Sequence, residues 1–487
     1  MSLTLYNTLG RELQAFESLK TGRAGFYGCG PTVYNYAHIG NLRAYVLHDV
    51  LIRTLRRMGF EVTHVMNITD VGHLSGDNDE GDDKMVTSAK ERGKSVLEVA
   101  EFYTRAFFND TERLHIVKPT VVCKATEHID DMIGLIKRIE AQGFTYSAGG
   151  NLYFDITKFP PYGDLARLRL DDLKAGARIQ VDENKRNPHD FVLWFTKSKF
   201  ERQALVWDSP WGTGYPGWHI ECSAMSIKYL GETFDIHAGG IDHVSIHHTN
   251  EIAQSEAATG IHPWVRYWVH NEFLVVDRGK MSKSGGGFFT LQRLVDAGYD
   301  PLDYRYFLLG GHYRSQLQFS YQALESAQNA RKSLMDRIME RVNALPDKSG
   351  SLPGIGLEQI PESLTRRKPG IYLKAFNAAL ENDLSTPRGL AELWGLLRDP
   401  EVNPADALIG AFDMDRVLGL NLAGEVEKRR FPAESRELVD EIETLIAERT
   451  AAKQVKDFAK ADGIRQTLKD RGIILEDRPT GTVWRRG

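Results

Sequence analysis

The stretch Gly25-Phe26-Tyr27-Gly28-Cys29-Gly30, followed from Leu42 by a helical pattern and then by Glu61-Val62-Thr63-His64-Val65-Met66-Asn67-Ile68, decides how this chain is read. The first segment reads as a short strand ending in a glycine turn. Leu42, Tyr45, Val46, Leu47, Val50, Leu51 and Leu55 then recur at helix spacing up to Gly59. Residues 61–68 read as a second strand. Strand, helix and strand in that order make the unit of a parallel α/β sheet. Ligands of such sheets lie beyond the C-terminal ends of the strands. Cys29, His38 and Thr69-Asp70 fall at such ends.

Working outward, the chain has 487 residues, too many for one hydrophobic core, and two to four domains are expected. It is 42% hydrophobic and 26% charged, an ordinary globular balance. A net charge of −5 means that any nucleic-acid partner needs a local basic surface. No apolar run is long enough to span a membrane. The start, Met1-Ser2-Leu3-Thr4-Leu5-Tyr6-Asn7, lacks a signal pattern. Only Cys29, Cys123 and Cys222 are present, which points to a reducing, cytoplasmic setting and away from a disulfide framework.

Residues 76–83 are acidic and glycine-containing and read as a loop. They lack the glutamate offset of a calcium loop. Residues 120 to about 200 break the strand–helix alternation and read as an insertion. The sheet resumes near Phe234-Asp235-Ile236-His237, and a helix is expected from about Ile246 through Ala258. Residues 316–345 read as helix and 346–363 as a linker. Further helices over 364–420 are expected to break at Pro387, Pro400 and Pro404. The end reads as helices over 434–454 and 456–471 with a turn-rich tail.

Three groups of residues carry chemistry. Lys280-Met281-Ser282-Lys283-Ser284 sits between the strand-like Phe273-Leu274-Val275-Val276 and Gly285-Gly286-Gly287. Two ammonium groups and two hydroxyls on such a loop suit the phosphates of a nucleotide. Pro31-Thr32-Val33-Tyr34-Asn35-Tyr36-Ala37-His38-Ile39-Gly40-Asn41 precedes the first helix. Cys222, in Trp218-His219-Ile220-Glu221-Cys222-Ser223, joins Cys29 and a His247/Glu251 pair whose spacing shares one helix face. Thiolates, an imidazole and a carboxylate favour zinc over harder cations. His248 stands as an alternative to His247. The bland alternative is two small buried cysteines and a helix-surface pair.

The segments at 31–41 and 280–284 together resemble the HIGH and KMSKS signatures of class I aminoacyl-tRNA synthetases, and over its length the chain resembles the cysteinyl-tRNA synthetases. The resemblance implies an α/β fold: a Rossmann-like parallel-sheet catalytic domain with an insertion, followed by α-helical tRNA-binding domains. The expected division is 1–119 and 201–270 for the two sheet halves, 120–200 for the insertion, and 271–325 for the loop and stem-contact region. A helical bundle at 326–430 and an anticodon-binding domain at 431–487 follow. It implies one Zn2+ on Cys29, Cys222, His247 and Glu251. It assigns ATP, with Mg2+, to His38, Gly40, Asn41, Gly240, Asp242, Lys280, Ser282 and Lys283. Of these, His38, Asn41, Lys280 and Lys283 are the catalytic group. L-cysteine falls to Thr69, Trp218 and His219, and tRNA(Cys) to Trp484, Arg485 and Arg486. A monomer is the family expectation. Asn41 stands where the generic motif ends in histidine, and it still offers a hydrogen-bond donor. Asp242 is read either at the ribose or as a helix N-cap. The chain departs from the commoner family pattern after Asp70, where Gly72-His73-Leu74 and the acidic loop delay Asp82-Asp83-Lys84. Rival readings are a cysteine ligase acting on an amino-sugar cyclitol, and a non-catalytic RNA-binding paralogue.

Overall fold

The computed structural model describes residues 3–71, 84–168, 183–197, 205–276, 289–346, 352–354, 361–430, 433–478 and 481–486. The expected KMSKS segment and the acidic loop lie outside the described residues. The chain forms two compact units. One comprises residues 1–331, 372–393 and 416–420, and the other 332–371, 394–415 and 421–487.

The first unit opens with a hairpin, β1 (Thr4–Asn7) and β2 (Glu12–Ala15). Next come β3 (Arg23–Gly28), helix α1 (Ile39–Arg57) and β4 (Glu61–Ile68), as the sequence pattern predicts. Two helices, α2 (Lys84–Arg92) and α3 (Val96–Arg113), lead to β5 (Val121–Lys124) and helix α4 (Ile129–Ala141). A separate antiparallel sheet holds β6 (Thr145–Ala148), β7 (Asn151–Phe154), β8 (Phe191–Phe195) and β9 (Tyr215–Pro216). Helix α5 (Ile220–Leu230), β10 (Phe234–Gly240), helix α6 (His247–Thr259) and β11 (Val265–Asn271) complete the layer structure.

The main sheet is parallel with order β11-β10-β3-β4-β5. The strand order reverses between β3 and β10, and ligands collect in the crevice at such a switch point. Alternation along the strands sorts the faces. On one face, Leu47, Leu51 and Leu55 of α1 cover Phe26, Val62, Ile236 and Val269. Each such leucine contributes about 1.5–3 kcal/mol by burial. On the other, Tyr27 and Val65 pack with Met132 and Ile136 of α4, Ala224 and Met225 of α5, and Ile252 and Ala253 of α6.

Helix α1 is fixed at both ends of its first half. The Arg43 guanidinium donates to the carbonyls of Phe273, His312, Tyr313 and Ser315 at 2.5–3.3 Å. One turn and a half later, Asp49 accepts from Arg53 at 2.8 Å and from the fully buried Arg305 at 2.5 Å. A buried arginine without these partners would cost several kcal/mol.

The helix breaks expected at Pro387, Pro400 and Pro404 are present, between helices Pro369–Glu381, Thr386–Arg398 and Pro404–Leu418, with Pro387 and Pro404 in first turns where a missing N–H costs nothing. The structure differs from the sequence pattern in three places. β5 belongs to the main sheet, so the separate sheet starts at Thr145 and not at 120. Leu317–Phe319 is a strand paired with Leu274–Val276, and the helix begins only at Tyr321. In the second unit, helices Ala433–Gln454 and Phe458–Asp470 lead into a hairpin, Ile473–Arg478 against Gly481–Arg486, in place of a turn-rich tail.

Candidate active site

A cleft of about 560 Å³ opens at the switch point, lined by residues that follow β3, β4 and β10 and by the start of α1. The shape comes from backbone contact. Gly30 follows β3 so closely that a Cβ there would overlap the Asn67 carbonyl of β4. Its N–H donates to Asn67 Oδ1 at 2.7 Å. This presses Cys29 toward the end of β10, where Cys29 N donates to Ala238 O at 3.2 Å.

Helix α1 begins in the cleft with an unusual cap. His38 Nδ1 accepts from Asn41 N at 3.0 Å, and Asn41 Oδ1 accepts from His38 N at 3.1 Å. The reciprocal pair satisfies two donors at the helix start in the manner of a capping box. It also fixes the ring: a neutral His38 carries its proton on Nε2. Burial holds the His38 pKa below its ordinary value, with Asp242 opposing. Gly40, Gly240 and Asp242 share this wall of the cleft. Asp242 sits within the short turn Ile241–His243 that follows Gly240, and not at a helix N-cap. Lys280, Ser282 and Lys283 lie outside the described residues.

Cys29, Cys222, His247 and Glu251 converge, with one donor atom from each lying within 4.8 Å of the others. They come from the end of β3, the first turn of α5 and two successive turns of α6. Glu251 is fully buried. Its Oε2 accepts from His237 Nε2 at 2.9 Å, and its Oε1 lies 2.9 Å from His247 Nε2 with no well-aligned hydrogen-bond donor. A buried carboxylate, an imidazole and two adjacent thiols form a donor set of the kind that holds zinc. Tetrahedral zinc bonds of about 2.0–2.3 Å place ligand atoms roughly 3.3–3.8 Å apart, so the set fits. A second grouping, Cys29, His237, His248 and Glu251, meets the same spacing.

Charges in the site follow from its crowding. Burial pushes the Cys29 thiol up, but its hydrogen bond with Cys222 and the imidazoles of His248, His237 and His243 outweigh this and hold it well below the usual range. Cys222 is driven well above it, by burial first and then by Cys29 and Glu251. Burial would raise Glu251, yet His237 and His247 bring it down to about 2. His247 is raised despite burial, by Glu251 and Cys29.

Thr69, Trp218 and His219 line the same cleft. The Thr69 hydroxyl accepts from Asn67 Nδ2 at 3.1 Å. The second unit is a different surface. Trp484 is half-buried, with its indole N–H donating to Glu443 at 2.8 Å. The side chains of Arg485 and Arg486 lie outside the described residues. Sequence reasoning missed Phe458, which is 61% exposed beside Val455 at 76%, among Lys453, Lys456 and Lys460. An apolar pair between lysines is visible in Val455-Lys456-Asp457-Phe458, but its exposure is not. His237, His243 and His270 were missed as well.

Comparison with known proteins shows the family. A family model described as tRNA synthetases class I (C) catalytic domain matches residues 15–329, and one described as cysteinyl-tRNA ligase anticodon binding domain matches residues 435–485. The chain is 58% identical to a cysteine–tRNA ligase of Treponema denticola and 43% identical to one of Borrelia hermsii, each over the whole of both chains. Its fold is similar to that of Mycobacterium tuberculosis methionyl-tRNA synthetase in complex with methionyl-adenylate. The TM-score is 0.55 at 15% identity, covering 87% of this chain and 94% of that one. The fold and the family match over residues 15–329 define a class I tRNA synthetase. Within that class, the chain belongs to the cysteinyl-tRNA synthetase family.

Proposed function

We propose that the protein is a cysteine–tRNA ligase that activates cysteine with ATP and transfers it to the 3′ end of tRNA(Cys). The observation that carries this reading is the convergence of Cys29, Cys222, His247 and Glu251, the first three of which line the cleft that also receives the capped start of α1. In the first step the cysteine carboxylate attacks the α-phosphorus of ATP and pyrophosphate leaves. In the second, a hydroxyl of the tRNA's terminal adenosine attacks the activated carbonyl and AMP leaves.

Positioning and charge stabilisation suffice for both steps, with no side-chain nucleophile. The positive end of α1 faces the phosphates, and its first N–H groups favour them. His38 Nε2–H donates to phosphate oxygens as charge builds on them. Lys280 and Lys283, with Ser282, hold the β- and γ-phosphates, and Mg2+ accompanies ATP. Gly240 admits the nucleotide, and Asp242 lies beside His38 on the ribose side. Thr69, Trp218 and His219 enclose the amino acid.

Cys29, Cys222, His247 and Glu251 would hold one zinc ion. When bound, zinc supplies a position that prefers a thiolate to a serine hydroxyl, a distinction that packing alone makes poorly. Three buried free cysteines support a reducing, cytoplasmic setting, and a monomer is what the family resemblance implies.

The test is pyrophosphate exchange and tRNA charging on one preparation. Cysteine should support exchange, serine very little, and tRNA(Cys) should be charged. Exchange without charging, together with turnover of a glucosamine-type cyclitol, would replace this reading with the cyclitol-ligase one. No exchange at all would leave the RNA-binding paralogue.

A further inference from the structure

We propose that Thr8, His270 and His248 form a hydrogen-bond chain that ends on the Cys29 sulfur, and that His248 serves the metal centre through this chain and not as a ligand. The inference rests on the reading of Cys29 as a zinc ligand. The geometry is linear and buried. Cys29 Sγ lies 3.3 Å from His248 Nε2. His248 Nδ1 lies 2.7 Å from His270 Nε2, and His270 Nδ1 lies 2.7 Å from Thr8 Oγ1. His248 is fully buried, and His270 and Thr8 nearly so. The chain joins the first hairpin, the end of β11 and α6 to the sulfur that follows β3.

Two donor groupings share Cys29 and Glu251, so His247 and His248 compete for one role. Three observations separate them. His247 and Cys222 line the cleft, whereas His248 and His237 do not. Glu251 Oε1 is 2.9 Å from His247 Nε2 but 3.9 Å from His248 Nε2. His248 reaches Cys29 from the protein side, with its other nitrogen already engaged by His270.

A metal-bound thiolate only accepts, which sets the direction of every bond. His248 Nε2–H donates to Sγ, so His248 Nδ1 is bare and accepts from His270 Nε2–H. His270 Nδ1 is then bare and accepts the Thr8 hydroxyl proton. Such an N–H···S bond fixes the sulfur's orientation and withdraws part of its charge. Losing a supporting partner of this kind costs about 10–100-fold in metal affinity.

The experiment measures zinc content and the rate of zinc transfer to a chromogenic chelator for the wild type, His248→Leu, His248→Gln and Thr8→Val. It adds the sulfur-to-cobalt absorption band of the Co2+-substituted forms. Thr8→Val keeps the side-chain shape, so it reports on the chain even where a histidine variant folds poorly. The expected result is about one zinc per chain in all four and release about 10–100-fold faster in His248→Leu. His248→Gln, which retains an N–H donor, should be partly restored. Thr8→Val should be intermediate, with a shifted cobalt band. Zinc lost from His248→Leu but kept in His247→Leu, prepared as a fifth protein for this comparison, would make His248 the ligand and overturn the inference. Zinc present with equal release rates in every variant would overturn it too. A wild type without zinc would bring down the metal reading itself, and this inference with it.

Discussion

The Nδ1 atoms of His219 and His247 stand 2.8 Å apart, a ring-to-ring hydrogen bond at the edge of the substrate cleft. One of the two nitrogens carries the proton. If His247 holds zinc through Nε2, as proposed, its Nδ1 would be the donor and His219 would accept. His219, which lines the cleft, would thereby fix the nitrogen proposed to hold the metal. His219→Phe keeps a ring of similar size but removes the acceptor. It should bind zinc about 10–100-fold more weakly, read by chelator competition. Unchanged zinc affinity would reduce His219 to a wall of the pocket.

Gly30 offers a steric test of the same site. A methyl group there must displace the Asn67 carbonyl or the chain after β3, and Cys29 is its neighbour. Overpacking of this kind costs about 1–3 kcal/mol. Gly30→Ala should lower the urea midpoint by a corresponding amount and weaken zinc retention at the same time. Full stability with normal zinc would mean that the two strand ends part without disturbing Cys29.

How much of this was legible in the chain depends on where the information sits. The β3–α1–β4 unit was readable because Leu42 to Leu55 repeat at helical spacing within one segment. β5 was not, since Val121-Val122-Cys123-Lys124 is too short to show alternation and its partner, β4, is distant in sequence. The closing hairpin was hidden by its charged residues, Glu476, Asp477, Arg478, Arg485 and Arg486. The His247/Glu251 pair showed as a helix face, but linking it to Cys29 and Cys222 took the family resemblance. His237, His248 and His270 came from β10, α6 and β11, and only the parallel register brings them beside the sulfurs. Asn41 completing a cap with His38 followed from no propensity rule, because histidine is rarely an N-cap.

His64 ties stability to pH. It is 2% exposed on β4, and neither ring nitrogen has a hydrogen-bond partner among the described residues. Burial, then the nearby charges of His48 and Arg56, lowers its pKa to about 3. The unfolded chain protonates the ring near pH 6.5 and the folded chain does not. Its contribution is therefore intact above pH 6.5 and is lost as pH falls from there toward 3, at about 1.4 kcal/mol per unit. Asp110, raised to about 6 by burial, has the opposite slope between about pH 4 and 6. The clean quantity is thus the difference between two proteins. His64→Leu should lose about one proton's worth of slope between pH 6.5 and 5 in urea titrations. Equal slopes would show that His64 takes up its proton in the folded state.

Lys283→Ala tests the phosphate-binding assignment that the sequence makes. If the ammonium meets charge only as it builds on the leaving pyrophosphate, zinc content and cysteine binding should be unaffected. Single-turnover adenylate formation should slow by about 100- to 1,000-fold. A normal rate would make Lys283 an ordinary surface charge.

Phe458 and Trp484 divide the RNA question between two aromatic residues. Trp484 packs against the small core of Ile442, Ile464, Leu468 and Leu475, and its N–H is held by Glu443. Phe458 stands at the start of its helix, 61% exposed and close in sequence to three lysines. A ring held by the fold is poorly placed to stack a base, whereas an exposed ring beside cations is well placed. Phe458→Ala should therefore raise the tRNA concentration needed for charging by roughly 5- to 150-fold, the equivalent of about 1–3 kcal/mol for one stacked base. Cysteine-dependent pyrophosphate exchange should not change, because every residue assigned to that step lies before residue 290. Trp484→Ala should instead lower the stability of the second unit, with a smaller effect on tRNA that follows the loss of folding. The check is charging and exchange on the same preparations, with thermal unfolding alongside. A tRNA defect confined to Trp484→Ala, with its unfolding unchanged, would move the base-stacking role back to the indole.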